Sequence, residues 1–308
     1  MQMTPSSSVR PSAAELDALR EAIARVRETR GPALPFGVAP LDHLLSGNGL
    51  DSAGLHEVAG ASASWSDDAA ATLFAAGIAA RFAAAPGVSA LWALTRFDLY
   101  APGLEQAGLG PERVLYAQGR NDKELLALCE DALRDGSLAC VVAEVKAADQ
   151  IATRRLQLAA SEGKTPMLLY RRYRRYGECP LADPSLAMTR WRIGALSSAR
   201  LDAPGVGRGR WSVELVRQRG GLPFSLELEA CDAQGRLALP ATTRDRAVAA
   251  GGAVIHGEWW RRVGEMWAVR DYFRVEAETG ERFWLFRRGD AVTENSGDLS
   301  WYMHGVFG

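Results

Sequence analysis

The sequence predicts an α/β protein in which helices flank a mainly parallel central sheet and a small aromatic-rich β module forms the C-terminus. Three observations support this. From Gly54 to Tyr170, short apolar runs alternate with helical stretches, which is typical of buried parallel strands. After Pro184, apolar runs follow one another without helices, which indicates antiparallel strands completing the sheet. Beyond Val254, aromatic residues are far denser than the 8% of the whole chain.

Composition limits the classes of function. The 308 residues are 47% hydrophobic and 24% charged, as in an ordinary folded protein. The net charge of −1 means that any nucleic-acid contact must come from a local patch. No cysteine forms a C-x-x-C pair and no histidines have metal-ligand spacing, so we predict neither a metal site nor a disulfide framework. The start has no apolar signal core and no run is long enough to cross a bilayer, so we expect a cytoplasmic protein away from membranes.

Residues 1–33 are predicted to form a tail and an amphipathic helix. Ser12 and Glu15 have the spacing of a capping box at the start of a helix that runs to Arg30. One narrow apolar stripe along this helix is a candidate partner-binding surface, and it consists of Leu16, Leu19, Ile23 and Val26. The stripe either folds back onto its own domain or packs against a partner subunit, and the sequence leaves both possibilities open.

Residues 34–236 are predicted to form the α/β core. The strand signals are at residues 55–59, 88–95, 113–117, 138–145, 165–170, 187–193, 211–217 and 224–229. The long helices between them are expected at residues 67–84, 121–134 and 149–162. Right-handed crossovers would then wind the parallel part of the sheet.

Residues 237–253 are predicted to be a linker, and residues 254–308 a separate β module. Within the module, Thr279-Gly280 is expected to turn a hairpin between residues 269–278 and 282–288. Most of its aromatic residues would form a small core. Those in excess of that core are candidates for a partner surface, namely Trp259, Trp260, Trp284 and Trp301.

The stretch after the first core strand has the form of a phosphate-binding turn. A strand ends at Gly60, and a loop of small residues leads into an Ala-rich helix. A working loop has the pattern G-x-x-x-x-G-K-[ST], in which glycine permits close approach, lysine reaches the phosphates and the hydroxyl holds Mg²⁺. Counting from Gly60, those three places hold Trp65, Ser66 and Asp67. The sequence therefore predicts no nucleotide cofactor and no catalytic activity.

A basic loop follows the strand that ends at Tyr170. It consists of Arg171, Arg172, Tyr173, Arg174, Arg175 and Tyr176. Arginines neutralise phosphates and tyrosines stack on bases, a combination that suits single-stranded DNA. A docking site for an acidic partner and a solvated loop remain alternatives. Arginines on the neighbouring strands would extend the basic surface or keep the sheet soluble, namely Arg190, Arg192, Arg208, Arg210, Arg217 and Arg219.

Several stretches resemble the ImuA family of RecA-like accessory proteins in bacterial translesion synthesis. They include P-F-G-V-A-P-L-D-H-L-L, G-L-H-E-V-A-G and T-R-W-R-I-G-A, and the resemblance spans Leu34 to Asp232. It implies a degenerate RecA-like core. At the place of the water-activating glutamate of active relatives this chain has Arg96, and Glu144 stands where a metal-coordinating aspartate would be.

The C-terminal stretches G-E-W-W and W-Y-M-H-G-V-F, within Gly257 to Gly308, resemble the end of ImuB, a Y-family polymerase relative. Together the resemblances imply a non-catalytic scaffold in SOS mutagenesis. Its implied partners are RecA, an ImuB-type protein and an error-prone C-family polymerase, with single-stranded DNA as a further candidate. A RecA-like DNA-dependent ATPase with an atypical phosphate loop and a SulA-type cell-division inhibitor are the alternative functions.

Overall fold

The computed structural model of the chain describes residues 32–198, 206–240, 270–277, 280–288 and 300–307. The α-helices in these ranges are α1 (Ala39–Leu44), α2 (Trp65–Phe82), α3 (Ala101–Gln106), α4 (Asp122–Asp135) and α5 (Gln150–Gly163). The first strands are β1 (Ala33–Leu34), β2 (Leu50–Asp51), β3 (Leu55–Gly60), β4 (Ala90–Leu94), β5 (Val114–Gln118), β6 (Cys140–Val145) and β7 (Met167–Arg171). They are followed by β8 (Thr189–Leu196), β9 (Arg210–Gln218), β10 (Phe224–Glu229), β11 (Arg270–Glu276), β12 (Arg282–Arg288) and β13 (Trp301–Phe307).

The main sheet has eight strands in the order β10-β9-β8-β3-β7-β6-β4-β5. Neighbouring strands from β8 to β5 are parallel, and β9 and β10 complete the sheet in antiparallel pairing. The predicted α/β class is therefore confirmed. The strands that were expected from apolar runs are those of this sheet, whereas the short pair β1–β2 and helix α3 were not predicted.

Helices cover both faces of the sheet. On one face, the alanine-rich α2 lies against the strands, and Phe74 contacts Trp191 with ring centroids 5.6 Å apart. On the other face, α4 and α5 bury Leu125, Leu133 and Leu156. The central strands β3, β4, β6 and β7 are buried along their whole length because helices exclude water from both of their sides.

A separate three-stranded antiparallel sheet consists of β11, β12 and β13. The predicted aromatic β module is thereby confirmed, and its hairpin joins β11 to β12 with an Ala277 N–H bond of 2.8 Å to the Glu281 carbonyl. β13 is a third strand that was not predicted. Its sequence contains Gly305, which weakens a strand signal.

The parallel strands β3, β4, β6 and β7 all end at the same edge of the main sheet. The segments that leave this edge are residues 61–64, 95–100, 146–149 and 172–188. Ligands of open α/β sheets bind outside the carboxyl ends of the strands. Both the phosphate-loop position and the basic loop therefore belong to one surface.

Candidate functional site

The loop at the phosphate-binding position is closed by its own side chains. Ser64 caps α2 and accepts a hydrogen bond of 3.2 Å from the Asp67 N–H. A Cβ at Gly60 would lie 3.0 Å from the Ser62 carbonyl oxygen, so the turn requires glycine there. Trp65 is the first residue of α2, and its side chain is 69% exposed.

Asp67 occupies the N-terminal end of α2, where an anion would otherwise bind. One carboxylate oxygen accepts a bond of 2.6 Å from the Ser62 hydroxyl, and the other accepts a bond of 2.8 Å from the Ala195 N–H in β8. The neighbouring Ser66 is buried. The carboxylate thus supplies from within the chain the negative charge that a phosphate would bring.

Arg172 lies at the centre of an ion-pair network next to this loop. Its guanidinium is 2.6 Å from Glu144 through Nε and 3.1 Å from Asp68 through Nη1. A longer contact of 3.5 Å reaches Asp98. We name these four residues the Arg172 network. It joins the ends of β4, β6 and β7 to the first turn of α2.

Both oxygens of Glu144 are engaged. The indole N–H of Trp92 donates a bond of 2.6 Å to the oxygen that Arg172 does not contact. Burial raises the pKa of the Glu144 carboxyl, and the charge of Arg172 opposes that shift. Burial lowers the pKa of Arg172, but Glu144 and Asp68 more than offset it, so the net shift is upward and the guanidinium stays charged.

Two residues, Glu144 and Arg96, were expected at places where active relatives have catalytic groups. Both oxygens of Glu144 already accept hydrogen bonds, from Trp92 and from Arg172. Arg96 lies in the loop after β4 and is exposed. In the ranges that the structure describes, no group of three or more His, Cys, Asp or Glu residues could hold a metal ion.

The basic loop is only partly a surface feature. Arg171 is fully buried in β7, where its guanidinium is 2.7 Å from a Glu57 oxygen, and Arg190 contacts the other Glu57 oxygen at 2.6 Å. Since neither arginine reaches solvent, Arg171 does not contact a phosphate in this conformation, and Arg190 does not extend the basic surface. Arg192 is likewise held, by Glu214 at 2.7 and 2.8 Å.

The rest of the loop leads outward. The Tyr173 hydroxyl donates to the backbone oxygens of Gly60 and Ala61, at 3.2 and 3.0 Å, and so connects the two loops. Arg174 is half-exposed and donates a bond of 2.8 Å to the Lys146 carbonyl. Arg175 and Tyr176 are the most exposed, with 80% of the arginine side chain and 92% of the tyrosine accessible.

A cavity of 310 Å³ lies between the phosphate-loop position and the basic loop. Its rim carries Trp65, Arg96, Lys146, Arg174, Arg175 and Tyr176. Neither Trp65 nor Lys146 was predicted to belong to a binding surface. The exposure of Trp65 could have been predicted from its position. A large aromatic residue in the first turn of a helix, directly after a loop of small residues, is not expected to reach the core.

The C-terminal sheet contacts the core beside this cavity. The rings of Trp284 and Tyr100 are 5.0 Å apart and nearly perpendicular, and Arg282 donates a bond of 2.6 Å to the Gly207 carbonyl. Gly280 has φ of +93°, and a Cβ there would lie 2.6 Å from the Ser197 nitrogen. Glycine is therefore needed here for two reasons, the positive φ angle and the close approach of the two backbones.

Other candidate residues are distributed as follows. Trp301 in β13 is 55% exposed and Trp284 is partly buried. The apolar stripe Leu16, Leu19, Ile23 and Val26, together with Trp259 and Trp260, lies outside the described residues. None of the helices that the structure describes is long and apolar enough to cross a membrane.

Comparison with known proteins adds two similarities. No family model matches the chain. It is 38% identical over 210 residues to Protein ImuA of Caulobacter vibrioides strain NA1000 / CB15N, a match that covers 67% of this chain and 86% of that protein. A second match, 45% identical over 56 residues, is to Protein ImuB of the same strain and covers 17% of this chain but 12% of ImuB.

Proposed function

This chain belongs to the ImuA family, and we propose that it is a non-catalytic accessory protein of SOS-induced mutagenic translesion DNA synthesis. In this proposal it acts in the cytoplasm as a scaffold. It docks RecA, an ImuB-type protein and, through the latter, an error-prone C-family polymerase. Residues 34–236 form its docking core, residues 237–253 a linker, and residues 1–33 and 254–308 its partner modules.

The Arg172 network is the main observation behind our proposal that the chain is not an enzyme. Phosphoryl transfer requires a cation to neutralise the phosphates, a metal ion and a group that orients the attacking water. Here Arg172, the cation nearest to the first turn of α2, is already bonded to Glu144 and Asp68. Asp67 places a further negative charge at the helix N-terminus. A triphosphate would have to break these contacts and meet repulsion.

Titration with ATP and Mg²⁺ tests this point. We expect no specific heat at millimolar nucleotide and no phosphate release in the presence of single-stranded DNA. An active RecA-type ATPase measured in parallel provides the positive control. Saturable ATP binding with turnover would refute the scaffold and favour the alternative, a DNA-dependent ATPase.

The contacts of the C-terminal sheet support docking of an ImuB-type protein. The chain contains a segment similar to ImuB, and the sheet at its C-terminus contacts the core at Tyr100, the residue before α3, through the Tyr100–Trp284 ring contact. We propose that a separate ImuB uses an equivalent surface on ImuA proteins that lack the fused module. Co-purification of an ImuB-type protein with this chain tests the partner. Trp284→Ala, which removes the internal ring contact, should raise the yield of the separate protein if it uses this surface, with Tyr302→Ala as the control for loss of an aromatic residue from the same sheet.

The apolar stripe of the N-terminal helix is the proposed contact with RecA. An amphipathic helix with one narrow stripe suits insertion into a groove of a partner. Deletion of residues 1–30 should abolish binding to RecA and leave binding to the ImuB-type protein intact. Unchanged binding to RecA would remove this part of the proposal and favour the alternative, that the helix folds back on its own domain.

The exposed end of the basic loop is the proposed contact with single-stranded DNA. Arg174, Arg175 and Tyr176 remain accessible, and arginine with tyrosine suits phosphate and base contacts. An Arg174→Ala/Arg175→Ala double variant should retard a single-stranded oligonucleotide less than the parent does in a gel shift. Equal retardation would exclude this loop from DNA binding.

A further inference from the structure

Two cavities meet at the exposed indole of Trp65. The first is the 310 Å³ cavity beside the basic loop, and the second, of 870 Å³, lies between the core and the C-terminal sheet. Four residues line both: Trp65, Asp68, Asp98 and Arg172. The cavities are therefore two parts of one groove, which we name the Trp65 groove. It runs from Tyr176 past Trp65 to Trp284.

Exposed aromatic rings are spaced along this groove. Tyr176 stands at one end with 92% of its surface accessible, Trp65 in the middle with 69%, and Phe97 beyond it with 60%. Tyr100 and Trp284 follow at the C-terminal sheet. Large aromatic side chains usually have most of their surface buried. Several accessible rings in one concave surface mark a binding site rather than a core.

Exposed cations stand along the rim of this groove. The carboxylates in its wall are engaged within the protein: Asp68, Asp98 and Glu144 surround Arg172, and Asp122 accepts the backbone N–H bonds of Lys146 and Ala147 at 3.0 and 2.8 Å. The exposed cations are Arg96, Lys146, Arg175 and, from the C-terminal sheet, Arg274. The guanidinium of Arg274 lies over the Trp284 ring at 5.7 Å.

One buried polar group in the groove has no partner among the described residues. Trp211 is 1% exposed, it lines the larger part of the groove, and its indole nitrogen makes no hydrogen bond. An unsatisfied buried donor costs free energy.

We infer that the Trp65 groove binds single-stranded nucleic acid, with an unpaired base stacked on Trp65 and the sugar-phosphate backbone against Arg175 at one end and Arg274 at the other. The inference rests on the proposed function and extends it, because it gives the former phosphate loop a base-stacking role. It also makes the C-terminal sheet part of the nucleic-acid site. A single strand fits better than a duplex, since only unpaired bases offer their faces to an aromatic ring.

Fluorescence anisotropy of the full chain with labelled oligonucleotides tests the inference. The probes are single-stranded oligo-dT, the matching oligo-rU, an oligo-dT with central abasic positions, and a duplex. We expect binding to the single strands and weaker binding to the abasic strand and the duplex. Trp65→Ala should weaken binding about five- to 100-fold, as expected for loss of one stacked base. Trp65→Phe, which keeps a ring, should restore most of it.

Trp301→Ala is the matched control, because Trp301 is similarly exposed, at 55%, but does not line the groove. Its affinity should equal that of the parent. Arg274→Ala should reduce the slope of log affinity against log salt concentration by about 0.7, the loss of one phosphate contact on a single strand. An unchanged slope would remove the C-terminal sheet from the site.

Equal affinity of Trp65→Ala and the parent, or a preference for duplex, would overturn the inference. If the parent binds no oligonucleotide at all, the inference likewise falls. In each case the scaffold proposal stands as long as ATP is not bound and the ImuB-type protein still co-purifies. Circular dichroism confirms that each variant is folded.

Discussion

The guanidinium of Arg172 contacts one carboxylate oxygen of Glu144 through two nitrogens, Nε at 2.6 Å and Nη2 at 2.5 Å. The glutamate is the penultimate residue of β6 and the arginine follows the neighbouring strand β7, so the bond joins two elements at the edge where the loops meet. Glu144 is 4% exposed and Arg172 24%. A pair with so little water around it has large consequences when one partner is removed.

Replacement of Arg172 by alanine should lower the free energy of unfolding by on the order of 3 kcal/mol, because the Glu144 charge would be left buried without its partner. Urea denaturation measures the change. Arg175→Ala is the control: at 80% exposure it should change stability by less than about 0.5 kcal/mol. The double variant Arg172→Ala/Glu144→Gln should recover part of the loss. A loss below about 1 kcal/mol for Arg172→Ala would contradict the importance of the pair.

His56 should make stability depend on pH below neutrality. Its ring is fully buried, and burial lowers its pKa below the ordinary 6.5. The unfolded chain therefore binds a proton at pH values where the folded chain does not. Stability is complete above about pH 6.5 and is lost as the pH falls towards the lowered pKa, by up to about 1.4 kcal/mol per pH unit. Urea denaturation between pH 7.5 and 5 measures this slope.

His56→Gln removes the titrating group and should reduce that slope, although it also changes the bonds to Thr189 and to the Asp51 carbonyl. His43→Gln controls for the loss of a histidine at the surface. A slope that is the same in His56→Gln and the parent would assign the pH dependence to other groups.

Gly163 allows α4 and α5 to approach each other closely. A Cβ at this position would lie 1.8 Å from the Leu133 carbonyl oxygen, which is part of the backbone and cannot turn away. Gly163→Ala should therefore destabilise the protein by about 1–3 kcal/mol or more, measured as a lower thermal midpoint. Gly103→Ala in α3 is the matched control. Its Cβ would meet Tyr100 at an ordinary 3.5 Å, and alanine favours a helix, so no destabilisation is expected.

Two buried thiols should resist modification. Burial raises the pKa of Cys129 and of Cys140 to about 12, so a minute fraction of either is thiolate at pH 8. Cys179, which is partly exposed, should react first with a thiol reagent in the native protein. Mass spectrometry of the labelled peptides identifies the order. Early labelling of Cys140 would show that the sheet opens on the time scale of the reaction.

Apolar runs and, in the last strands, alternating patterns were sufficient to predict the strands of the main sheet, because strands covered by helices on both faces are mostly apolar and half-buried strands alternate. The helices that begin at Asp122 and Gln150 were also expected, and their caps Asn121 and Asp149 accept the N–H bonds that such residues favour. Helix α3 was missed because it contains proline and glycine in its first turn, a pattern that usually indicates a loop.

The basic loop shows where sequence patterns stop being informative. A run of four arginines and two tyrosines predicts an exposed surface, yet Arg171 is buried because Glu57, on a neighbouring strand more than a hundred residues earlier, is its partner. Arg172 finds Glu144 and Asp68 in the same way. These pairs depend on strand order, which periodicity does not reveal. For Arg175 and Tyr176 the local pattern correctly predicted exposure, because neither side chain lies in the strand β7 or beside a neighbouring strand.

Because the C-terminal sheet is covalently attached, it has an advantage over any separate protein that would bind the surface around Tyr100. Residues 241–269 connect the core to the strand that begins at Arg270, so the sheet meets this surface as part of the same molecule. A covalent tether can raise the effective concentration to the order of millimolar. A free tail of similar sequence, present at micromolar levels, would be outnumbered locally about a thousandfold. Such a fused protein would hold its own module in a one-to-one ratio, independent of the supply of a separate subunit.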